Sequence, residues 1–247
     1  MAGDGTFDET LARTYDADTA EMFAPDVLDP TVDFLTELAA RRRVLEFAIG
    51  TGRVALPLSA NGVDVAGIEL SRAMVEQLAK KPGAERIQVV IGDMATTRVE
   101  GDFGLVYLVY NTITNLLTQE EQVACFLNAA AHLESGGHFV LEVGVPALRR
   151  LPPGETLVAF DVSDNHVGVD EYDVVNQRLT SHHHWSPGGA ARTFQSAHRY
   201  VWPAECDLMA RIAGLSFRER WSDWHRAPFT SDSTSHISVW EKAVPEG

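Results

Sequence analysis

Val44-Leu-Glu-Phe-Ala-Ile-Gly-Thr-Gly52, followed after a short gap by Val63-Asp-Val-Ala-Gly-Ile-Glu69, decides the fold of this 247-residue chain. In the first segment a short apolar run stops at two glycines, which predicts a buried strand and then a tight turn. Residues 54–61 carry apolar side chains at helical spacing and end at Asn61-Gly62, a typical helix stop. The second segment is again strand-like. The order strand, glycine turn, helix, strand predicts neighbouring strands of a parallel sheet.

The same alternation continues on both sides of these two segments. The predicted elements are a helix over 29–40, strands at 43–48 and 63–69, helices at 54–61 and 71–81, strands at 87–91 and 105–110, a helix at 119–133 and a strand at 138–143. Because the strands are almost continuously apolar, both faces of the sheet must be covered by helices. The sequence therefore predicts an α/β fold with a Rossmann-like, mostly parallel sheet.

The pattern changes after Val145. Residues 156–202 contain several β-like runs and two turn signals but no helical pattern, and we interpret them as an inserted antiparallel β segment. The turn signals are Asp164-Asn165 and Pro187-Gly188-Gly189. A helix at 204–213 and strands at 216–221 and 236–242 then resume the sheet. The expected organisation is an N-terminal helical segment (1–40), an α/β domain (41–150 and 203–247) and an inserted antiparallel β segment that caps the domain (151–202).

Composition and charge narrow the classes of partner. The formal net charge of -15 would repel a phosphate backbone, so we expect no nucleic acid as substrate. Cys125 and Cys206 suit a reducing compartment and show no spacing typical of zinc sites. The polar N-terminus does not resemble a signal peptide, and no apolar run could span a bilayer. We expect a soluble cytoplasmic protein with no membrane partner; its oligomeric state is not predicted.

The glycine turn suits two classes of ligand. Gly50-Thr-Gly52-Arg-Val-Ala55 also satisfies the GxGxxG/A pattern of dinucleotide-binding proteins, so an NAD(P)-dependent oxidoreductase is an alternative. Glu69 could accept hydrogen bonds from ribose hydroxyls in either class. Glu46 would be unfavourable beside the phosphates of a dinucleotide, whereas it suits a ligand that bears an ammonium and a sulfonium. Asp93 can accept a hydrogen bond from an adenine amine, with Met94 against the ring, so the three acids favour a cationic nucleoside.

These motifs resemble those of class I S-adenosylmethionine-dependent methyltransferases of the small-molecule type. Glu46-x-Ala-x-Gly-x-Gly is similar to the first motif of the family, with Ala48 where glycine is commoner. Ile68-Glu69-Leu70-Ser71, Gly92-Asp93-Met94 and the segment 133–142 resemble its later motifs. The resemblance covers residues 40–145 closely and the tail more loosely. It implies transfer of a methyl group from S-adenosylmethionine to a nitrogen, oxygen or carbon atom of a small metabolite, such as a natural-product intermediate, with S-adenosylhomocysteine as product.

The resemblance also implies where the cofactor lies. Contacts are expected from Tyr15, Glu46, Ala48, Gly50, Gly52, Arg53, Glu69, Leu70, Asp93, Met94, Tyr110 and Asn111. Arg13-Thr-Tyr15-Asp16 resembles the tyrosine-bearing N-terminal helix of methyltransferases that act on small metabolites, including amino-sugar N-methyltransferases, in which the tyrosine closes over the methionine end. A surface aromatic on a loose N-terminal segment is the alternative interpretation of Tyr15. A non-catalytic nucleoside-binding protein of the same fold is a further alternative.

The methyl acceptor is expected beyond the carboxyl ends of the strands, where open α/β sheets bind ligands. On a strand, His183 and Trp185 of the His182-His183-His184-Trp185 run would share one face. His183, Glu142 and Tyr15 are the candidate catalytic residues, and Asn115, Trp185 and Trp224 the candidate acceptor contacts. Ordinary surface pairs are the alternative for the histidines. A metal site would need His166 or His198 as a third ligand, and we expect no metal.

Overall fold

A computed structural model describes residues 8–186 and 192–244. Its main sheet has seven strands, in the order β10-β11-β5-β4-β1-β2-β3. The strands are β1 (Val44–Phe47), β2 (Val65–Glu69), β3 (Gln88–Ile91), β4 (Phe103–Leu108), β5 (Leu133–Gly144), β10 (Leu215–Trp221) and β11 (Ser235–Lys242). The five strands from β3 to β5 are parallel, whereas β11 runs antiparallel to both β5 and β10. The predicted mostly parallel sheet is confirmed.

Helices cover both faces of this sheet and enclose two apolar cores. The helices are α1 (Glu9–Asp18), α2 (Pro25–Ala39), α3 (Ala55–Ala60), α4 (Arg72–Leu78), α5 (Gln119–His132) and α6 (Pro203–Ile212). On one face, Phe126 of α5 packs edge-on against Phe139 and Trp240. On the other face, Phe34 of α2 lies in a core cluster with Leu105 and Tyr107 of β4.

A separate four-stranded antiparallel sheet, in the order β6-β7-β8-β9, lies between β5 and α6 in the chain. Its strands are β6 (Leu157–Val162), β7 (His166–Asp173), β8 (Arg178–Trp185) and β9 (Arg192–Arg199). This cap sheet agrees with the predicted antiparallel segment, although the turn expected at residues 187–189 lies outside the described residues. His198 of β9 contacts the Thr114 hydroxyl at 3.2 Å, which places the sheet beside the loop that follows β4.

A buried polar network holds the base of the cap sheet. The Arg199 guanidinium donates to Gln122 of α5, to Gln177 in the β7–β8 turn at 3.1 Å and to Glu205 of α6 at 2.7 Å. Both charged side chains of the Arg199–Glu205 pair are nearly inaccessible to solvent. A buried ion pair of this kind needs additional hydrogen bonds to offset its desolvation, and the two glutamines supply them.

Several predicted element boundaries were wrong, including the helix expected over 71–81, which ends at Leu78. The strand expected at 105–110 ends at Leu108, because Tyr110 and Asn111 both adopt left-handed backbone conformations with φ of 60° and 59°. The helix expected from residue 29 begins at Pro25, since proline at the first helical position loses no hydrogen bond. The strand expected from residue 138 begins at Leu133, directly after α5.

Side-chain size is restricted around the glycine turn. A Cβ atom at Gly67 of β2 would lie 2.5 Å from the Ile49 side chain, so glycine there lets the turn pack closely on the neighbouring strand. Gly52 has a φ of 81°, and a Cβ there would lie 2.4 Å from Leu78. Ala48 also has a positive φ, 52°, which costs a non-glycine residue conformational energy.

We therefore predict that Ala48→Gly stabilises the ligand-free protein. Alanine pays a conformational energy for its left-handed backbone, and glycine does not. This relief exceeds the extra chain entropy that glycine loses on folding, so the free energy of unfolding should rise by about 0.5–1 kcal/mol. Urea unfolding followed by circular dichroism measures this difference. The matched control is Ala124→Gly within α5, which should destabilise by about 1 kcal/mol. Equal destabilisation by both variants would contradict the prediction.

Candidate active site

Three acidic residues lie at the carboxyl edge of the parallel strands. Glu46 lies in β1, Glu69 is the last residue of β2, and Asp93 follows β3. Because β3, β2 and β1 are adjacent and parallel, their carboxyl ends lie at one edge of the sheet. Glu46 and Glu69 are buried. Such an edge favours a cationic ligand over a phosphate-bearing one.

Glu69 joins the glycine turn to the start of α4. Its two carboxylate oxygens accept hydrogen bonds from the backbone N–H of Gly50 at 2.8 Å and of Ser71 at 2.9 Å. Ser71 in turn caps α4 through its hydroxyl, which accepts from the N–H of Met74. An ionised carboxylate is a multiple hydrogen-bond acceptor, which is the chemistry that ligand hydroxyls require.

Glu46 is a buried acid with a tyrosine partner. The Tyr107 hydroxyl on β4 donates to the Glu46 carboxyl at 2.7 Å. Burial raises the pKa of Glu46 to about 8, although the Tyr107 hydrogen bond and the Arg53 charge oppose this shift. The candidate site residues predicted from the sequence do not include Tyr107. The available signal was strand register, because parallel pairing of β1 with β4 places Glu46 directly opposite Tyr107.

Asp93 shapes the turn that follows β3. Its side chain accepts a hydrogen bond from the backbone N–H of Ala95 at 2.8 Å, and its backbone carbonyl accepts from Thr96 and Thr97. Met94 is buried in the core, and the Asn128 side chain donates to its carbonyl at 2.8 Å. The half-buried Asp93 carboxylate therefore stands on a rigid turn.

Helix α1 is fastened across the glycine turn. Asp16 accepts a hydrogen bond from the Thr51 hydroxyl at 2.6 Å and pairs with Lys81 at 2.5 Å, while Lys81 donates to the Thr51 carbonyl. Burial, reinforced by Tyr110, raises the pKa of Tyr15 to about 12. The Tyr15 phenol therefore stays protonated at neutral pH, as a hydrogen-bond donor beside the turn.

The loop after β4 is held by β5. The Glu142 carboxylate accepts from the backbone N–H of Tyr110 at 2.9 Å and from the Trp224 indole at 3.0 Å. The Asn111 side chain accepts from the backbone N–H of Gly144. These bonds stabilise the two left-handed residues, and the Arg53 guanidinium lies 5.2 Å from the centre of the Tyr110 ring.

The candidate acceptor contacts lie on different elements. Asn115 ends the short helical turn that follows β4, and Trp185 ends β8. Trp224 packs edge-on against Phe34, with ring centres 5.4 Å apart, and also lines a cleft beside α2. The described contacts thus connect Trp224 to Glu142 and α2, and Trp185 to the cap sheet.

The histidine run alternates between the two faces of the cap sheet. His183 faces His166 and Trp185, with His183 Nδ1 3.1 Å from His166 Nε2. His182 pairs instead with Glu171 on the opposite face at 3.1 Å. Burial, together with the neighbouring histidines, lowers the pKa of His183. Within residues 8–186 and 192–244, no group of three ligating side chains is arranged to hold a metal ion.

Comparison with known proteins gives consistent matches. A family model described as a methyltransferase domain matches residues 44–137. The solved structure of the CcbJ methyltransferase from Streptomyces caelestis superposes with a TM-score of 0.87 and 36% identity, covering 98% of this chain and 100% of that chain. None of the helices in the described ranges combines the length and apolarity needed to cross a membrane.

Two curated relatives have names that indicate what they methylate. The cypemycin N-terminal methyltransferase of a Streptomyces species is 26% identical over 98% of this chain and 100% of its own length. The dTDP-3-amino-3,4,6-trideoxy-alpha-D-glucopyranose N,N-dimethyltransferase of Streptomyces venezuelae is 35% identical over 100 residues, which is 40% of this chain and 41% of that protein. Both names describe methylation of nitrogen.

The buried acid generates a prediction about pH. Glu46 has a pKa of about 8 in the folded protein against 4.5 as its ordinary value, so the unfolded chain loses this proton first as pH rises. The stability contributed by neutral Glu46 is therefore complete below pH 4.5 and is lost on approaching pH 8. Relative to Glu46→Gln, the free energy of unfolding of the wild type should fall by about 1.4 kcal/mol per pH unit between pH 5 and 8. Urea unfolding measures both proteins, and parallel pH profiles would contradict the prediction.

Proposed function

The chain belongs to the S-adenosylmethionine-dependent methyltransferases and methylates a small molecule, and we propose that the acceptor atom is an amine nitrogen of a natural-product intermediate. Support for nitrogen comes from the names of the two curated relatives, an N-terminal methyltransferase and an amino-sugar N,N-dimethyltransferase. A second support is the half-buried His183, because an amine that arrives as an ammonium must lose a proton before it can react.

The assignment of the cofactor site rests on one observation, the position of Glu46, Glu69 and Asp93 at the same edge of the sheet. The residues fit S-adenosylmethionine: carboxylates suit an ammonium and a sulfonium, and the positive-φ glycines let a ligand approach the backbone. When bound, S-adenosylmethionine supplies an electrophilic methyl group. We propose that the remaining contacts come from Tyr15, Ala48, Gly50, Gly52, Arg53, Leu70, Met94, Tyr110 and Asn111.

We assign the acceptor groups as follows. His183 accepts the proton of the ammonium, and Trp185 and Asn115 contribute to the acceptor wall. Glu142 already accepts two hydrogen bonds, from Tyr110 and Trp224, so its role is to position those residues. Tyr15 closes the site as a donor. The segment 151–202 acts as an acceptor cap on the α/β domain formed by 41–150 and 203–247, with residues 1–40 as the N-terminal helical segment.

Other functions find less support. A nicotinamide dinucleotide at the Gly50-x-Gly52 turn would bring phosphates near Glu46, an acid that burial already favours in its neutral form, and would give its ionised form no partner. A cationic ligand would instead favour ionisation of Glu46 and pair with it. A nucleic-acid acceptor conflicts with the net charge of -15. The buried thiols Cys125 and Cys206, whose pKa values are raised by burial, are compatible with a cytoplasmic location, which we also propose.

Calorimetric titration of the purified protein with S-adenosylhomocysteine and, separately, with NADH tests the cofactor. We expect micromolar binding of S-adenosylhomocysteine and none of NADH. Glu69→Ala should weaken the binding of S-adenosylhomocysteine by about 1–3 kcal/mol, since charge-assisted hydrogen bonds are lost. The control is Glu76→Ala on α4, a residue outside the site, which should leave the affinity unchanged. Binding of NADH alone would refute the assignment.

The acceptor class is tested by measuring S-adenosylhomocysteine formation with matched panels of amino sugars, peptides with a free N-terminus, and their hydroxyl analogues. We expect turnover with amines only. Turnover with hydroxyl compounds alone would refute the nitrogen acceptor while leaving the methyltransferase intact. Binding of S-adenosylhomocysteine without turnover on any compound of the panels would instead favour a non-catalytic nucleoside-binding protein.

His183→Ala should lower turnover about 100-fold or more, the usual contribution of a general base, while cofactor affinity changes little. The matched control is His182→Ala, which alters the neighbouring residue on the opposite face of β8. Turnover rates at saturating S-adenosylmethionine and calorimetric affinities give the two readouts. If His183→Ala retains wild-type turnover, His183 is not the general base.

A further inference from the structure

We infer that Asp161 and His166 hold His183 in the tautomer whose Nε2 is unprotonated, so that His183 can act as the proton acceptor for an amine. Asp161, His166 and His183 are linked by hydrogen bonds and form a histidine relay. Their function in catalysis rests on the proposed function, whereas their effect on the His183 tautomer is a property of the protein itself. Asp161 and His166 are thus positioning residues that act through His183.

The relay is a continuous chain of hydrogen bonds across three strands. The carboxylate oxygen Oδ2 of Asp161 on β6 lies 2.5 Å from Nδ1 of His166 on β7. The other ring nitrogen of His166, Nε2, lies 3.1 Å from Nδ1 of His183 on β8. The strand register brings these rings together, because His183 is paired with Gly168, two residues beyond His166.

Glycine at position 168 creates the space for the relay. A Cβ atom there would lie 2.3 Å from the ring of Phe160, so this ring occupies the volume that a side chain would need. Phe160 packs edge-on against His183, with ring centres 5.2 Å apart. Trp185 stacks on His183 at 5.1 Å and on His166 at 4.8 Å. Aromatic contacts thereby restrict the rotation of both imidazoles.

The hydrogen-bond pattern determines the position of each proton. An ionised carboxylate only accepts hydrogen bonds, so Nδ1 of His166 must carry a proton to donate to Asp161. In neutral His166 the other nitrogen, Nε2, is then an acceptor, and it requires Nδ1 of His183 to be the donor. Neutral His183 therefore carries its proton on Nδ1 and presents an unprotonated Nε2. The second nitrogen of an imidazole is commonly set in this way by the partner of the first.

The relay belongs to the side of the cap sheet that meets the α/β domain. Antiparallel register places Leu179 opposite His198, and His183 follows Leu179 by four residues, which puts it on the same face. His198 contacts Thr114 in the loop after β4, beyond the carboxyl ends of the parallel strands. Among the described residues, the charged and titratable groups around His183 include Asp161, His166, Asp170, His182, His184 and His198, with Arg192 over the Trp185 ring.

The proton step follows from this geometry. An N–H bond of the substrate ammonium breaks, its electron pair stays on nitrogen, and the proton passes to Nε2 of His183. In the resulting imidazolium, the Nδ1 proton stays on His183 and is donated to Nε2 of His166. The Nδ1 proton of His166 is in turn donated to the Asp161 carboxylate. The negative charge of Asp161 thus stabilises the charged form of His183 through His166. The lowered pKa of His183 keeps the free ring neutral and ready to accept at pH 7.

Nitrogen NMR of the full chain with 15N-labelled histidine tests the relay without any substrate. We expect His183, assigned with His183→Gln, to show a protonated Nδ1 and an unprotonated Nε2 at pH 8. In Asp161→Asn the fixed tautomer should give way to a mixture, and the His183 titration midpoint should move to lower pH. A wild-type His183 protonated at Nε2, or an Asp161→Asn spectrum identical to that of the wild type, would overturn the inference.

Glu171→Gln is the matched control. Asp161 pairs with His166 of β7, whereas Glu171 pairs with His182 of β8 on the opposite face. The Glu171 side chain is 54% exposed against 43% for Asp161. We expect Glu171→Gln to leave the His183 spectrum unchanged. An effect equal to that of Asp161→Asn would show general electrostatics and overturn the relay. Circular dichroism and S-adenosylhomocysteine affinity verify that both variants are folded.

With an accepted amine, the pH profile of kcat/KM gives a second readout. The acidic limb of Asp161→Asn should move to lower pH, and its plateau should fall at least about tenfold. Unchanged limb and plateau would overturn the catalytic part of the inference. Absence of turnover with every amine would refute the proposed function, whereas the nitrogen spectra would still decide the relay.

Discussion

The Glu69 carboxylate is the point on which the rest of the site depends. The hydrogen bonds that it accepts from Gly50 and Ser71 join the turn after β1 to the start of α4, and they fix the end of β2 between them. Because the turn is fixed, Thr51 offers its hydroxyl and carbonyl to Asp16 and Lys81, which fasten α1 across it. A carboxylate in this position organises the protein before any ligand arrives, which lowers the ordering cost of binding.

For the neighbouring acid, Glu46, burial decides the protonation state. Burial favours its neutral form more strongly than the Tyr107 hydroxyl and Arg53 favour the ionised form, so its pKa rises. The apolar surroundings of Glu46 oppose its charge until a cation lies beside it.

Periodicity predicted much of the fold, because each element of the parallel sheet has a local pattern. The apolar strands, the glycine turn, the Ser71 cap and the alternation of His182 and His183 between faces could all be read from neighbouring residues. The end of β4 could not, since Tyr110 and Asn111 adopt left-handed conformations that Glu142 and Gly144 stabilise from a distant strand.

Contacts between distant segments explain what the sequence missed in the site. The Glu46–Tyr107 pair, the Asp16–Thr51 bond and the histidine relay join residues that share no local pattern. Their detection required the strand register or the packing of α1. The N-terminal helix could be anticipated only by resemblance, because nothing in residues 13–16 alone indicates that Asp16 reaches the glycine turn.

The position of β11 has a consequence for the order of folding during synthesis. Among the strands in residues 8–186 and 192–244 this one comes last, yet it lies inside the sheet, between β5 and β10. Until residues 235–242 leave the ribosome, β5 is an unpaired edge, and Phe139 and Phe126 lack the Trp240 ring that covers them. An emerging chain therefore exposes an unpaired strand edge and apolar side chains that can associate with other nascent chains. Insertion of one late strand closes that edge, covers the aromatic core and ends the period in which nascent chains are most prone to aggregate.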